Sequence, residues 1–215
     1  VGMILNSIHK GEEDDNVVIL FTSGSEKDPK AVQLTHRNIA SNIENFSNHI
    51  GIREDDILLA NLVFFHVFGL TCNLWLSFVK GLTIVSYANP TEFQTISNIA
   101  REEKPTIMVG TPSFFWGYLQ KSEPGDFESV RIMVAGADKC PDALRAGFKE
   151  KHGATLLEGY GATETSPVVS VNSLEMNKPG SIGIGMVCRK KPVQRTFVFV
   201  LIDDIGEPFR HGIFL

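Results

Sequence analysis

Six short apolar runs rich in β-branched residues punctuate the chain at 17-VVILF-21, 57-ILLAN-61, 82-LTIVS-86, 106-TIMVG-110, 131-RIMVA-135 and 155-TLLE-158. Runs of this length and composition read as buried strands. Helical spacing separates them. Ile39, Ile43, Phe46 and Ile50 recur behind Thr35, a candidate N-cap, and Phe93, Ile96 and Ala100 mark a helix that must stop by Pro105. The segment 141–152 opens on a proline and closes before Gly153, as a helix does. Strand-helix alternation of this kind predicts an α/β fold, a largely parallel βαβ sheet covered by helices. Ligands of such sheets gather beyond the carboxyl ends of the strands.

With 215 residues and 43% hydrophobic content the chain can bury a sizeable core. A formal charge of -5 and the lack of any long Lys/Arg run exclude nucleic acid as an electrostatic partner. Cys72, Cys140 and Cys188 are odd in number and far apart, which argues against a disulfide framework or a zinc site and for a reducing, cytoplasmic setting. The most apolar region, 62–87, is interrupted by His66, Asn73 and Lys80 and reads as core strand, helix and strand, not as a bilayer span. Residues 1–172 are expected to form the α/β core. Residues 173–215, with the apolar run 197–202 and the turn 203–208, are expected to begin a small β-rich appendage of a longer protein.

Three polar loops follow candidate strands. In 20-LFTSGSEKDPKAVQLTH-36, Thr22, Ser23 and Ser25 offer hydroxyls, Gly24 permits close backbone approach and Lys30 brings a mobile cation, the parts of a polyphosphate cradle. The same composition also makes an ordinary turn, and the loop lacks the Gly-Lys-Ser/Thr ending of the common nucleotide loop. The second and third loops are 135-AGADKCP-141 and 158-EGYGATETSP-167. In the latter, Tyr160 between glycines can stack on a nucleobase, Thr163 can reach a phosphate and Glu164 can hold Mg²⁺ together with phosphate oxygens. Taken singly, these are also a turn aromatic and a surface acid.

Together, in this order, the first and third loops resemble the phosphate loop and the Tyr-Gly-x-Thr-Glu motif of the adenylate-forming acyl/aryl ligase superfamily of AMP-binding enzymes. The stretch 64-FFHVFGL-70 is similar to that family's aromatic-histidine motif. More narrowly, "FTSGSE", "VAGADK", "EGYGATETSPVVSVN" and "KPGSIG" resemble the ligase half of the bifunctional acyl-[acyl-carrier-protein] synthetase/2-acylglycerophosphoethanolamine acyltransferases. The resemblance implies that Thr22, Ser23, Gly24, Ser25 and Lys30 face the β- and γ-phosphates of ATP. It implies that Gly136, Ala137 and Asp138 line the adenine pocket, with Glu158, Gly159 and Tyr160 closing over it. Thr163 then touches the α-phosphate, Glu164 binds Mg²⁺, and His66 sits between the acyl carboxylate and the α-phosphate. Phe65, Phe68, Val109, Thr111 and Met133 are weaker candidates for the acyl pocket, and each also reads as plain core.

The implied reaction joins a fatty acid to ATP as an acyl-adenylate with loss of pyrophosphate, then passes the acyl group to the phosphopantetheine thiol of acyl carrier protein or coenzyme A. A membrane lipid is a further implied partner of the whole protein, with membrane association to match. Three positions depart from the superfamily: Glu26, Lys27 and Ala31 stand where Thr, Gly and Gly are usual. Replacing a glycine that adopts unusual backbone angles strains the chain by about 1 kcal/mol. The ribose-binding aspartate, the hinge and the catalytic-lysine domain have no counterpart in these residues, so the chain by itself is expected to be a weak catalyst. Two other readings stay open, an amino-acid adenylation domain and a degenerate nucleotide-binding module without turnover.

Overall fold

A computed structural model of the chain describes residues 11–22, 29–186 and 210–211. The central sheet runs in parallel through β3 (Ile57–Ala60), β4 (Thr83–Ser86), β5 (Ile107–Gly110), β6 (Ile132–Ala135) and β7 (Leu156–Gly161), in spatial order β4-β3-β5-β6-β7. Antiparallel strands extend both edges. β8 (Val168–Val171) and β9 (Ile184–Gly185) follow β7, and β10 (Arg210–His211) pairs with β4. Both described strands after residue 172 thus join the same sheet.

The helices are α1 (His36–Ile50), α2 (residues 67–80), α3 (Phe93–Glu103), α4 (Pro112–Lys121) and α5 (Asp142–His152). Strand periodicity decides which face each covers. Leu58, Ile107, Val109, Val134 and Leu157 point to one side, against Ile39, Ile43 and Phe46 of α1 and Val67, Cys72 and Leu76 of α2. Leu59, Met108, Met133, Ala135 and Leu156 point to the other, against Ile96 of α3, Phe115 and Tyr118 of α4 and Phe148 of α5. The winding direction reverses between β3 and β5, so the connection through α2 covers one face and those through α3, α4 and α5 the other. A doubly wound sheet opens a crevice at such a reversal.

The first strand does not belong to this sheet. β1 (Asn16–Thr22) turns back into β2 (Lys30–Thr35) as an antiparallel hairpin with Thr22 opposite Lys30, and its Val18, Leu20, Val32 and Leu34 pack on the α1/α2 face. The expected phosphate loop is therefore the connection of a hairpin, not a strand-to-helix turn on the parallel edge. The alternation in 30-KAVQLT-35 is the signal for β2 that Pro29 obscures. Residues 62–66 form a loop, not the strand expected there, because the helix begins at Val67. The helix α4 and the strand β8 are further elements that the periodicity leaves unmarked. The run 197–202 and the turn 203–208 lie outside the described residues.

Candidate active site

Thr35 caps α1 as expected: its Oγ1 accepts from the amide of Asn38 at 3.2 Å, while Asn38 Oδ1 accepts from the amide of Thr35 at 3.0 Å. His66 caps α2 in the same manner, Nδ1 accepting from the amide of Phe68 at 3.2 Å. In the neutral ring this bond leaves the proton on Nε2, which is then a donor. The helix continues at once into a π-helical stretch, Leu70–Trp75, that carries Cys72. Such widened turns recur at functional sites.

A cavity of about 220 Å³ opens between α1, α2 and the carboxyl ends of β5, β6 and β7. Its depth is apolar, walled by Phe46, Ile50, Cys72, Leu76, Val109 and Val134. The rim is polar and rich in small residues, with His66, Gly136, Ala137, Gly159, Tyr160 and Thr163. No Asp, Glu, Lys or Arg lines it among the described residues. Burial pushes the Cys72 thiol up to about 12, so this wall is neutral at any ordinary pH.

Close packing explains the small residues. A Cβ on Gly136 would lie 3.0 Å from the Phe68 ring, which ties the aromatic-histidine loop to the loop after β6. On Gly161 a Cβ would run into the carbonyl of Pro167, across the tight turn that returns the chain into β8. Ala137 sits at φ 69°, a left-handed conformation that costs a residue with a Cβ about 1 kcal/mol. Strain of this kind persists where the surroundings hold it.

Several expected residues fall elsewhere. Met133 is buried on the opposite face of the sheet, because the period of two that aims Val134 into the cavity aims Met133 away. Glu158 also lies outside the cavity lining, and its carboxylate is consumed in structure. It pairs with Arg145 Nη1 at 2.7 Å and accepts from the amides of Cys140 at 3.2 Å and Gly180 at 2.9 Å. Thr111 caps α4, accepting from the amide of Phe114 at 3.3 Å. Asp138 turns back to accept from the amide of Lys139 at 2.7 Å, and Phe65 stands 82% exposed outside the cavity.

Tyr160 presents a half-exposed ring at the rim, and Glu164 is exposed on the 3-10 turn Thr163–Thr165 with no ion-pair partner among the described residues. The strand β2, which starts at the exposed Lys30, lies against that turn. Hairpin and turn thus share one side of the molecule. Thr22 faces Lys30 across the ladder, and Ser23, Gly24 and Ser25 lie outside the described residues. Among the described residues no cluster of three or more His, Cys, Asp or Glu could hold a metal by itself. One carboxylate beside a polyphosphate site is nevertheless the usual protein contribution to a Mg²⁺ whose other ligands are phosphate oxygens and water. Glu164 fits that role.

Sequence reasoning missed Phe46, Ile50, Cys72, Leu76 and Val168 as cavity walls. Their helical or strand spacing is that of core residues, and a cavity wall and a core share one pattern. It also missed Asn42, whose side chain holds the turn before β8 through hydrogen bonds to Thr165 and Val168.

A doubly wound α/β domain whose cavity meets a Tyr-Gly-x-Thr-Glu turn and an N-capping histidine defines a nucleotide-handling class of protein. Residues 5–212 match the AMP-binding enzyme family, and the chain belongs to it. It is 32% identical over 208 residues, 93% of its length, to the long-chain-fatty-acid--CoA ligase of Bacillus subtilis (strain 168). It is also 28% identical over 180 residues, 82% of its length, to the delta-poly-L-ornithine synthetase of Acinetobacter baumannii (strain AB307-0294), of which it covers 13%. Among solved structures it resembles O-succinylbenzoate coenzyme A synthetase from Bacillus subtilis in complex with AMP. The TM-score there is 0.73 at 27% identity, covering 81% of this chain and 36% of that one. The chain spans 36% of the length of the fatty-acid ligase. No helix among the described residues is long and apolar enough to cross a membrane.

Proposed function

We propose that this chain supplies the ATP- and carboxylate-binding part of an enzyme that activates fatty acids. A carboxylate oxygen attacks the α-phosphorus of ATP, the bond from that phosphorus to the bridging oxygen of the β-phosphate breaks, and pyrophosphate leaves an acyl-adenylate behind. The thiol of coenzyme A, or of the phosphopantetheine on acyl carrier protein, then attacks the acyl carbonyl carbon; AMP departs and the thiol proton passes to solvent. In this reading residues 1–172 are the core of the large N-terminal part and residues 173–215 begin its β-rich portion. The enzyme is assigned to the cytoplasm, where the buried, unpaired Cys72 and Cys140 are at home. Association with a membrane, and a fused acyltransferase using a membrane lipid, extend the reading to the whole protein.

The observation that carries it is the cavity's two-part character, an apolar depth suited to an alkyl chain and a polar rim suited to a nucleotide. Tyr160 stacks on the adenine, with Gly136, Ala137 and Gly159 as the thin walls that let the base approach. Thr163 donates to the α-phosphate, and Lys30 with the hydroxyls of Thr22, Ser23 and Ser25 and the backbone at Gly24 holds the β- and γ-phosphates. His66 Nε2–H donates where the carboxylate and the α-phosphate meet, relieving the repulsion of two anions. Glu164 would hold a Mg²⁺, which when bound would supply further neutralisation of the phosphoryl oxygens. Holding both reactants in one cleft supplies much of the remaining acceleration.

Amino-acid activation is the competing chemistry, and it calls for a carboxylate to meet the substrate ammonium. No Asp or Glu lines this cavity among the described residues, which supports a fatty substrate. The test is ATP–pyrophosphate exchange by the full-length protein with fatty acids and with amino acids, followed by thioester formation on coenzyme A and on acyl carrier protein. Exchange driven by fatty acids is expected. Exchange driven only by amino acids, or nucleotide binding without any exchange, would overturn the reading in favour of an amino-acid adenylation domain or a module without turnover.

A further inference from the structure

We infer that Asn42 is a positioning residue for the adenylation step, holding the turn that carries Thr163 and Glu164 in register with the strand that carries Lys30; the inference rests on the function proposed above. Asn42 is 6% exposed on the buried side of α1. Its Nδ2 donates to the carbonyls of Thr165 at 3.1 Å and Val168 at 2.8 Å, and its Oδ1 accepts from the amide of Val168 at 3.2 Å. The carboxamide thereby pairs with Val168 in both directions, as a neighbouring strand residue would, and grips a second carbonyl three residues earlier.

The gripped segment needs an external hold. Between the two anchored residues Ser166 lies buried at φ 74°, a conformation that a residue with a Cβ keeps only under constraint. The turn closes on itself through the amide of Ala162 to the carbonyl of Pro167 at 3.0 Å and through Thr165 Oγ1 to the carbonyl of Ala162 at 2.8 Å. Those bonds set its shape, and the β7–β8 pairing ties its two ends to the sheet. Asn42 ties it to α1, which runs directly out of β2, and β2 itself lies against Thr163–Thr165. One helix therefore registers the proposed α-phosphate and Mg²⁺ residues against the proposed β/γ-phosphate lysine. Side-chain misplacement of about 1 Å costs a reaction of this kind on the order of 100-fold.

The experiment uses the full-length protein with Asn42→Ala and Asn42→Asp. The first removes the grip, and the second keeps one acceptor while setting an anionic oxygen against two carbonyls. Both variants are expected to lower kcat for acyl-dependent pyrophosphate exchange by roughly 30- to 100-fold, with KM for ATP and fatty acid changed by less than about threefold, and Asn42→Ala, which removes the acceptor of the Val168 amide, to speed amide exchange there. Asp56→Asn, which weakens an ion pair at the opposite end of the sheet, is the control for stability loss alone and is expected to leave kcat per folded molecule unchanged. In Asn42→Ala, faster exchange at Val168 with an unaltered kcat overturns the inference, as does unaltered exchange at Val168; so does an equal kcat loss in Asp56→Asn. If the wild-type protein shows no acyl-dependent exchange, it is the functional reading that fails, and the amide exchange at Val168 then decides by itself whether Asn42 holds the turn.

Discussion

Phe68 leans its ring edge on the backbone of Gly136, close enough that an added Cβ would sit 3.0 Å from Cζ and 3.3 Å from Cε1. Two segments far apart in sequence meet here at the cavity rim. Gly136→Ala is expected to force the ring inward, narrowing the cavity, weakening MgATP binding several-fold and costing about 1 kcal/mol of stability. Phe68→Leu in the same molecule should restore much of both losses. Calorimetric titration and thermal unfolding of the two single variants and the double variant measure the coupling. Equal effects of Gly136→Ala with and without Phe68→Leu would remove this contact from the explanation.

At the opposite end of the sheet Asp56 is almost fully buried, gripped by Arg131 through two nitrogens, by Thr106 Oγ1 at 2.6 Å and by the amide of Arg53 at 2.7 Å. Burial alone pushes this carboxyl up. The hydrogen bonds from Arg131, Thr106 and Arg53 and the guanidinium charge outweigh it and hold the group below the usual carboxylate range. A lowered folded-state pKa stabilises above the unfolded value and is lost as pH falls through the folded one, so this contribution disappears below pH about 4. Asp56→Asn is expected to cost about 3 kcal/mol at neutral pH, because it leaves Arg131 without its counter-charge, and to flatten the acid limb below that pH. Urea unfolding across the pH range reads both.

His152 governs a different window. Its ring stands against Phe127 and Phe148 at centroid distances of 5.2 and 5.6 Å, with Nε2 2.9 Å from Ser122 Oγ and Nδ1 buried without a partner. Burial, aided by the charge of Lys151 and opposed by that of Asp126, pushes the imidazole down to about 4. The unfolded chain therefore takes up this proton first as pH falls below about 6.5, and stability drains away between there and pH 4. At about 1.4 kcal/mol per pKa unit, the loss across the window is roughly 3 kcal/mol. His152→Gln should flatten the stability profile over that interval while leaving the lower limb, set by Asp56, in place. A profile still as steep between pH 6.5 and 4 would assign the slope to other groups.

The parallel core was legible because every buried strand announces itself twice, once by composition and once by the flanking turns. The runs 57–61, 82–86, 106–110, 131–135 and 155–158 all became neighbours in one sheet. The hairpin was not, since nothing in 17-VVILF-21 tells whether its partner lies next in the chain or across a helix. Tyr160 and Thr163 were legible as site candidates through their chemistry, Gly136 and His66 through the family resemblance, and all four line one cavity. Cys72 and Ile50 were not, because an apolar wall carries no chemical mark. Asn42 was hidden for a related reason: its three partners are backbone atoms more than a hundred residues away, and backbone atoms leave no trace in a sequence pattern.

Glu158 separates motif from geometry most sharply. The residue stands two positions before the Tyr-Gly-x-Thr-Glu motif, so proximity to the nucleotide is the expectation from resemblance. Its side chain instead faces α5, where Arg145 pairs with it, and its two oxygens collect the amides of Cys140 and Gly180. Its carbonyl accepts from Asn172 as well, through the amide at 2.9 Å and Nδ2 at 3.2 Å. The loop after β6, the helix α5 and the 172–181 segment are thereby pinned to one strand. Arg145→Met leaves a buried carboxylate without its cation, and the cost is expected to be about 3 kcal/mol. Glu158→Gln keeps the shape and one acceptor oxygen, so about 2 kcal/mol is expected there. In neither variant should the affinity for MgATP, measured below the unfolding transition, move by more than about threefold, since the lost bonds are internal to the scaffold. A Glu158→Gln protein that unfolds like the wild type but binds MgATP tenfold more weakly would return this carboxylate to the nucleotide pocket.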